Sequence, residues 1–181
     1  EATALYDAGH PDRNIIGIAK DSPEYRERAE AVMQVLPHAP FELICSAREA
    51  ELIKYAGNNW LFFKVVYVNL LFDLANKTGA RYDIVRDALA ADPRIGRSHL
   101  DPIHQSGHGG KPGRGAGGHC FIKDFAAMRE QYEKLMPEDA AGIAALKSFE
   151  CKNIDLLLKS EKDLDLLKGV YGEEPRKVCG A

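Results

Sequence analysis

No CxxC pair occurs in this chain. Its four cysteines, Cys45, Cys120, Cys151 and Cys179, lie far apart, a spacing that favours free thiols in a reducing compartment over a disulfide framework. An excess of positive charge is also missing. Lys and Arg number 24 against 27 Asp and Glu, the formal net charge is −3, and no local basic block offsets it. That leaves no electrostatic footprint for nucleic acid. Long hydrophobic runs are absent too: the most apolar stretch, Trp60 to Leu74, contains Lys64, Asn69 and Asp73 and is too short to span a bilayer. No signal peptide is visible, and together these readings predict a cytoplasmic protein without a membrane partner. The first residue is Glu1 rather than Met, so the sequence reads as a piece of a longer protein with parts upstream. What is present, 45% hydrophobic and 28% charged residues in 181, suits one or two small soluble domains with a real core.

Asn14 to Ala19 reads as a short strand. Asp21-Ser22-Pro23-Glu24 then supplies a cap, a first-turn proline and an early acid for a helix to about Leu36. Phe41 to Cys45 reads as a second strand. The resulting strand–helix–strand unit lacks a glycine-rich turn and looks like the end of an α/β domain. Ser46 and Glu49 form a capping box, and Gly79 closes the helix that follows, a rod of about 48 Å at 1.5 Å per residue. Its middle is apolar nearly all round and must be buried on most sides; pairing with a second copy through residues 47–78 is the simplest arrangement. Tyr82 to Ala91 is a shorter helix stopped by Asp92-Pro93. A glycine- and histidine-rich loop runs from Arg94 to His119, and a loop of that length usually belongs to function or disorder. Helices are expected at about 122–135 and 138–159, with a last short one from Ser160 closed by Gly169. The tail from Tyr171 should fray.

Two groupings of residues can do chemistry. Cys120 stands at the entrance of a helix, where N–H groups and the positive end of the dipole favour a thiolate. Lys123 and Asp124 follow one turn later and can share its face. Gly113, Gly115, Gly117 and Gly118 would let a ligand approach the backbone. Together they suit a thiolate attacking a carbonyl carbon, with backbone donors for the oxyanion. A small buried hydrophobe is the competing reading of Cys120. Lys54 and Asn58, four residues apart, can present an ammonium and an amide side by side to an alkoxide, a water or a sugar hydroxyl; alone, such a pair is usually a solvated face. Residues 113–118 fit G-x-G-x-x-G literally, but no apolar strand precedes them as a dinucleotide fingerprint requires. His99, His104, His108, His119 and Cys120 match no closed zinc spacing.

The run Ala50-Glu51-Leu52-Ile53-Lys54-Tyr55-Ala56-Gly57-Asn58, then Asp92-Pro93-Arg94-Ile95-Gly96, then Gly117-Gly118-x-Cys120-Phe121-x-Lys123-Asp124 resembles the UDP-glucose/GDP-mannose dehydrogenase family in order and context. Pro11-Asp12-Arg13 with Ile15-Ile16-Gly17 resembles the last part of that family's N-terminal domain. The resemblance implies a mostly α fold: a long-helix central dimerisation domain, 6-phosphogluconate-dehydrogenase-like, at residues 46–170. Before it would come the end of an NAD-binding α/β domain at residues 1–45, and after it a flexible tail at residues 171–181. It implies two NAD-dependent oxidations of a sugar C6 alcohol, with NAD bound by a domain missing from this chain, a nucleotide-sugar substrate and a homodimer. By motif, Cys120 would attack the aldehyde, Lys54 and Asn58 would stabilise the oxyanion, and Asp124 with Lys54 would position the releasing water. Lys123 would serve the cofactor or the charge balance, Arg94 would reach the neighbouring subunit's substrate, Gly117 and Gly118 would bind substrate, and Glu1 would end a substrate loop.

This sequence departs from the family pattern at Ala116, where an aromatic is usual, at His119, Ile122 and Leu70, and in the length of the loop before Cys120. Two other readings stay open at this point. One is a dimerisation module without catalysis. The other is a single-oxidation hydroxyacid dehydrogenase, which would have no need of Cys120.

Overall fold

A computed structural model describes residues 4–107 and 110–180; Glu1, His108 and Gly109 lie outside the described residues. The chain divides into two compact units, residues 1–57 and 58–181.

The first unit begins with helix α1 (Ala4–Gly9), strand β1 (Arg13–Ile18), helix α2 (Pro23–Met33) and strand β2 (Phe41–Ser46). The two strands pair in parallel, Arg13 opposite Phe41 through Ile18 opposite Ser46. A helix is the usual bridge between parallel neighbours, since the chain must return to the same end of the sheet. Here α2 fills that role, opened by Pro23 and ended three residues short of Leu36 by a turn. Gly17 lies against the start of the following helix. A Cβ there would come within 2.8 Å of the Ala50 Cβ and 3.0 Å of the Ala47 Cα, so only glycine permits this approach. The capping box forms in both directions: the Glu49 N–H donates to Ser46 Oγ at 3.2 Å and the Ser46 N–H donates to Glu49 Oε2 at 2.8 Å.

Helix α3 (Ala47–Thr78) runs out of the first unit into the second and ends at Gly79, whose φ is +75°. In the second unit its buried stripe is Phe62, Val65, Val66 and Asn69. Phe62 stacks on Phe125 at 3.8 Å between ring centroids, and Phe63 meets Phe125 and Phe149 edge-on. The opposite stripe is left uncovered by this chain. Trp60 is 65% exposed, and Tyr67, Leu70 and Leu74 are exposed with it.

Helix α4 (Tyr82–Ala91) packs Tyr82 beneath Leu100. The long loop holds a small antiparallel pair, β3 (Ile103–His104) with β4 (Gly113–Arg114). Helix α5 (Gly118–Leu135) starts four residues earlier than the sequence suggested, so Cys120 lies within its first turn. Helix α6 (Ala140–Ser160) is capped by Asp139, and α7 (Leu164–Tyr171) continues through Gly169 to Gly172. Ile122, Ile154, Leu157 and Leu167 form the core between these three helices. Gly169 meets no neighbouring atom that would bar a side chain, and one glycine in a helix costs too little to end it.

The tail differs from the frayed end expected. Pro175–Cys179 forms a 3-10 turn, and Cys179 is joined to Cys151 by a disulfide with Cα atoms 5.6 Å apart. Free cysteines among the described residues are Cys45 and Cys120. The expectation of four free thiols is corrected here. Residues 28 apart in sequence meet because the chain reverses twice after α6, which spacing alone does not reveal.

Candidate functional site

Helix α5 carries the thiol and the carboxylate one turn apart. Cys120 is exposed. Asp124, one turn on, is 1% exposed. A carboxylate so deep needs donors, and it has them: Asn58 Nδ2 donates to Oδ2 at 2.6 Å, and Lys123 Nζ lies 2.6 Å from Oδ1. Charge-assisted bonds of that length orient both partners firmly. The structure thus joins Asn58, Asp124 and Lys123, which are up to 66 residues apart in sequence, beside an accessible cysteine. Asn59, the next residue on α3, is buried, and neither of its amide atoms has a hydrogen-bond partner among the described residues.

The other expected residues are placed as follows. Lys54 belongs to the first unit, on the α3 turn before Asn58, with its ammonium 4.8 Å from the Tyr55 ring centroid. Arg94 lies just past α4, largely exposed and paired with Asp92 at 2.6 Å; that carboxylate raises the guanidinium pKa. Glu1 falls outside the described residues.

Gly113, Gly115 and Gly117 do not form an open cradle. A Cβ on them would run into Lys162 and Ser160, into Asn153 and Leu157, and into Asp163, respectively. Their missing side chains make room for this chain's own helix α6 and the link from it to α7, and the literal glycine pattern is a packing feature. The Gly118 N–H, a natural oxyanion donor, is already given to Asp163 Oδ2 at 2.7 Å.

These contacts involve residues the sequence reading missed. Asn153 accepts from the Ala116 N–H at 2.6 Å and donates to its carbonyl at 2.9 Å. Ser160 Oγ accepts from the Arg114 N–H and donates to a carbonyl oxygen. Lys162, fully buried, donates to the Gly115 carbonyl at 3.0 Å and lies 3.1 Å from His104 Nε2. Burial pushes the Lys162 ammonium down to about 8; burial, then the Lys162 charge, pushes His104 down to about 4. A neutral His104 accepting from Lys162 fits both directions. The one available signal was Asn153 inside an otherwise apolar helix, since a buried amide has to bond something.

His99 turns its ring toward Phe121 at 5.7 Å, and its pKa falls through burial and then the Lys64 charge. Among the described residues no group of three or more His, Cys, Asp or Glu could hold a metal, and no helix is long and apolar enough to cross a membrane.

A family model described as "UDP-glucose/GDP-mannose dehydrogenase family, central domain" matches residues 48–145, more than half of the chain. The UDP-glucose 6-dehydrogenase of Rickettsia typhi is 29% identical over 162 residues, 90% of this chain and 32% of its own length. That of Rhizobium meliloti is 36% identical over 129 residues, 71% of this chain and 27% of its own. The solved structure of a UDP-glucose dehydrogenase from the hyperthermophilic archaeon Pyrobaculum islandicum superposes with a TM-score of 0.64 at 32% identity, over 84% of this chain and 31% of that one. The chain therefore spans about a third of the length of the relatives it matches. The family match ends before Asn153, Ser160, Lys162 and Asp163.

Proposed function

The chain belongs to the UDP-glucose/GDP-mannose dehydrogenase family, and we propose that it carries the thiol-bearing part of an NAD-dependent nucleotide-sugar 6-dehydrogenase. On this reading residues 46–170 are the helical central domain and residues 1–45 end the α/β domain that binds NAD. The observation that carries the proposal is the buried Asp124 held by Asn58 and Lys123 one turn from the exposed Cys120.

Cys120 attacks the C6 aldehyde of the sugar; an S–C bond forms and the aldehyde oxygen becomes the alkoxide of a thiohemiacetal. By the family motif, the Asn58 amide and the Lys54 ammonium would stabilise that alkoxide. At the thioester stage Asp124 and Lys54 orient the water that releases the acid. Lys123 pairs with Asp124 and balances its charge. Arg94 would extend to the substrate of the neighbouring subunit, and Glu1 would close a substrate loop. NAD would take the hydrides; the glycines at 113–117 offer its pyrophosphate no place, since Asp163 and Asn153 occupy that space.

Dimerisation through α3 belongs to the same reading, supported by the exposed stripe of Trp60, Tyr67, Leu70 and Leu74. So does a cytoplasmic setting. The Cys151–Cys179 bond withdraws the cysteine-spacing argument for it, and a reducing cytosol would open that bond.

The test is the dehydrogenase polypeptide bearing this segment, assayed with NAD and UDP-glucose. It should form two NADH per sugar acid, and Cys120→Ser should abolish acid formation. Unimpaired acid production by that variant would sink the covalent mechanism, and one NADH per substrate would favour the single-oxidation alternative.

A further inference from the structure

Asp163 lies far from Cys120 in sequence and beyond the family match, yet it is bonded to the start of the cysteine's helix. Its Oδ2 accepts from the Gly118 N–H at 2.7 Å, where α5 begins, and from the Ser106 hydroxyl at 2.5 Å in the loop leading to it. Gly117, just before, has no room for a side chain because this carboxylate fills the space. Asp163 is itself 7% exposed. The backbone beneath it is unusual: Glu161 and Asp163 both adopt the left-handed region, with φ of +51° and +53°, on either side of the buried Lys162. Such residues are costly and persist where surrounding contacts over-determine them. Here side-chain contacts reach the loop before Cys120 and the start of α5: Lys162 to the Gly115 carbonyl and His104, and Asp163 to Ser106 and Gly118.

We propose that Asp163 is a positioning residue for Cys120, fixing the first turn of α5 and placing a negative charge at the helix end that would otherwise favour the thiolate. The inference rests on the reading of Cys120 as the nucleophile. Its physical content is a competition. The positive end of a helix dipole stabilises nearby anions, and the carboxylate of Asp163, already placed there, opposes a second negative charge. The thiol is thereby held at a set position at the start of α5. The charged and titratable groups around this junction are Lys162 and His104 on the Asp163 side, and His119, Lys123 and Asp124 on the cysteine's helix.

The experiment is the pH profile of Cys120 alkylation by iodoacetamide, in the whole chain with Cys45→Ser removing the other free thiol. Asp163→Asn keeps the shape and removes the charge; it should lower the alkylation midpoint by about half a pH unit. Asp163→Glu restores the charge and should return the midpoint toward that of the parent. A purely structural bond would leave the midpoint where it was, and identical profiles for the parent and Asp163→Asn overturn the proposal. Should Asp163→Asn not fold, hydrogen exchange in the unaltered chain decides: the Gly118 amide should be protected, and exchange at the rate of an unstructured amide overturns the proposal. If Cys120→Ser leaves acid production intact, the functional reading has failed, while the alkylation result still reports on Asp163 alone.

Discussion

At Asp124 a single carboxylate gathers two donors from different parts of the chain, and that economy makes it a sensitive position. Asp124→Ala would leave the Asn58 amide without the acceptor it holds at 2.6 Å. A buried polar group stripped of its partner costs about 1–3 kcal/mol. A fall of that size in the urea unfolding free energy is expected, and no change would mean that water replaces the carboxylate. Asn153 is a second such position, since its side chain serves both the N–H and the carbonyl of Ala116. Asn153→Ala should cost about 2–4 kcal/mol on the same scale and loosen the loop before Cys120, measurable as faster amide exchange at Ala116. Much at this scale was legible in the sequence. Cys120, Lys123, Asp124 and Asn58 were singled out by helical spacing and by their glycine neighbours. That Asn58 would bond Asp124 was not, because a spacing of 66 residues carries no periodicity.

The loop between α4 and α5 shows what one element can conceal. Its glycines read as freedom for a ligand, yet the structure uses their missing side chains to seat Lys162, Asn153 and Asp163. The same loop makes a prediction about pH. His104 is held at about 4, below the value near 6.5 of an unfolded imidazole. A depressed folded value means that the neutral form is favoured, so its stabilising share is whole above about 6.5 and is lost as pH falls toward 4. Unfolding measured between those values should show a loss of about 2 kcal/mol assignable to this residue. His104→Gln, which can still accept from Lys162, should flatten that part of the curve; an unchanged acid slope would place the proton elsewhere. At the other end of α3, Ser46→Ala removes half of a capping box seen in both directions and should cost about 1 kcal/mol in the first unit.

For the whole molecule, the long helix determines how much apolar surface one chain leaves uncovered. Trp60, at 65% exposure, and Leu74 lie on the uncovered stripe. Trp60→Glu with Leu74→Lys should convert a dimer to monomers in light scattering, and a parent already monomeric at micromolar concentration would refute pairing through this helix. The tail is tied by a bond spanning 28 residues; closing a loop of that length stabilises by about 3.5 kcal/mol in the chain-entropy account. Dithiothreitol should lower the unfolding midpoint accordingly and expose the tail to protease.

By itself the sequence determined the parts whose physics is local: the capping box at Ser46, the reach of α3 to Gly79, the stop at Asp92-Pro93 and the family pattern around Cys120. Each depends on neighbours within one or two helical turns, and so each was readable. Only the tertiary structure decided what those parts meet. It put Asn58 on Asp124, joined Cys151 to Cys179, and set Asp163 at the start of the cysteine's helix. Such contacts arise where packed helices return to one another, and no periodicity along the chain records them.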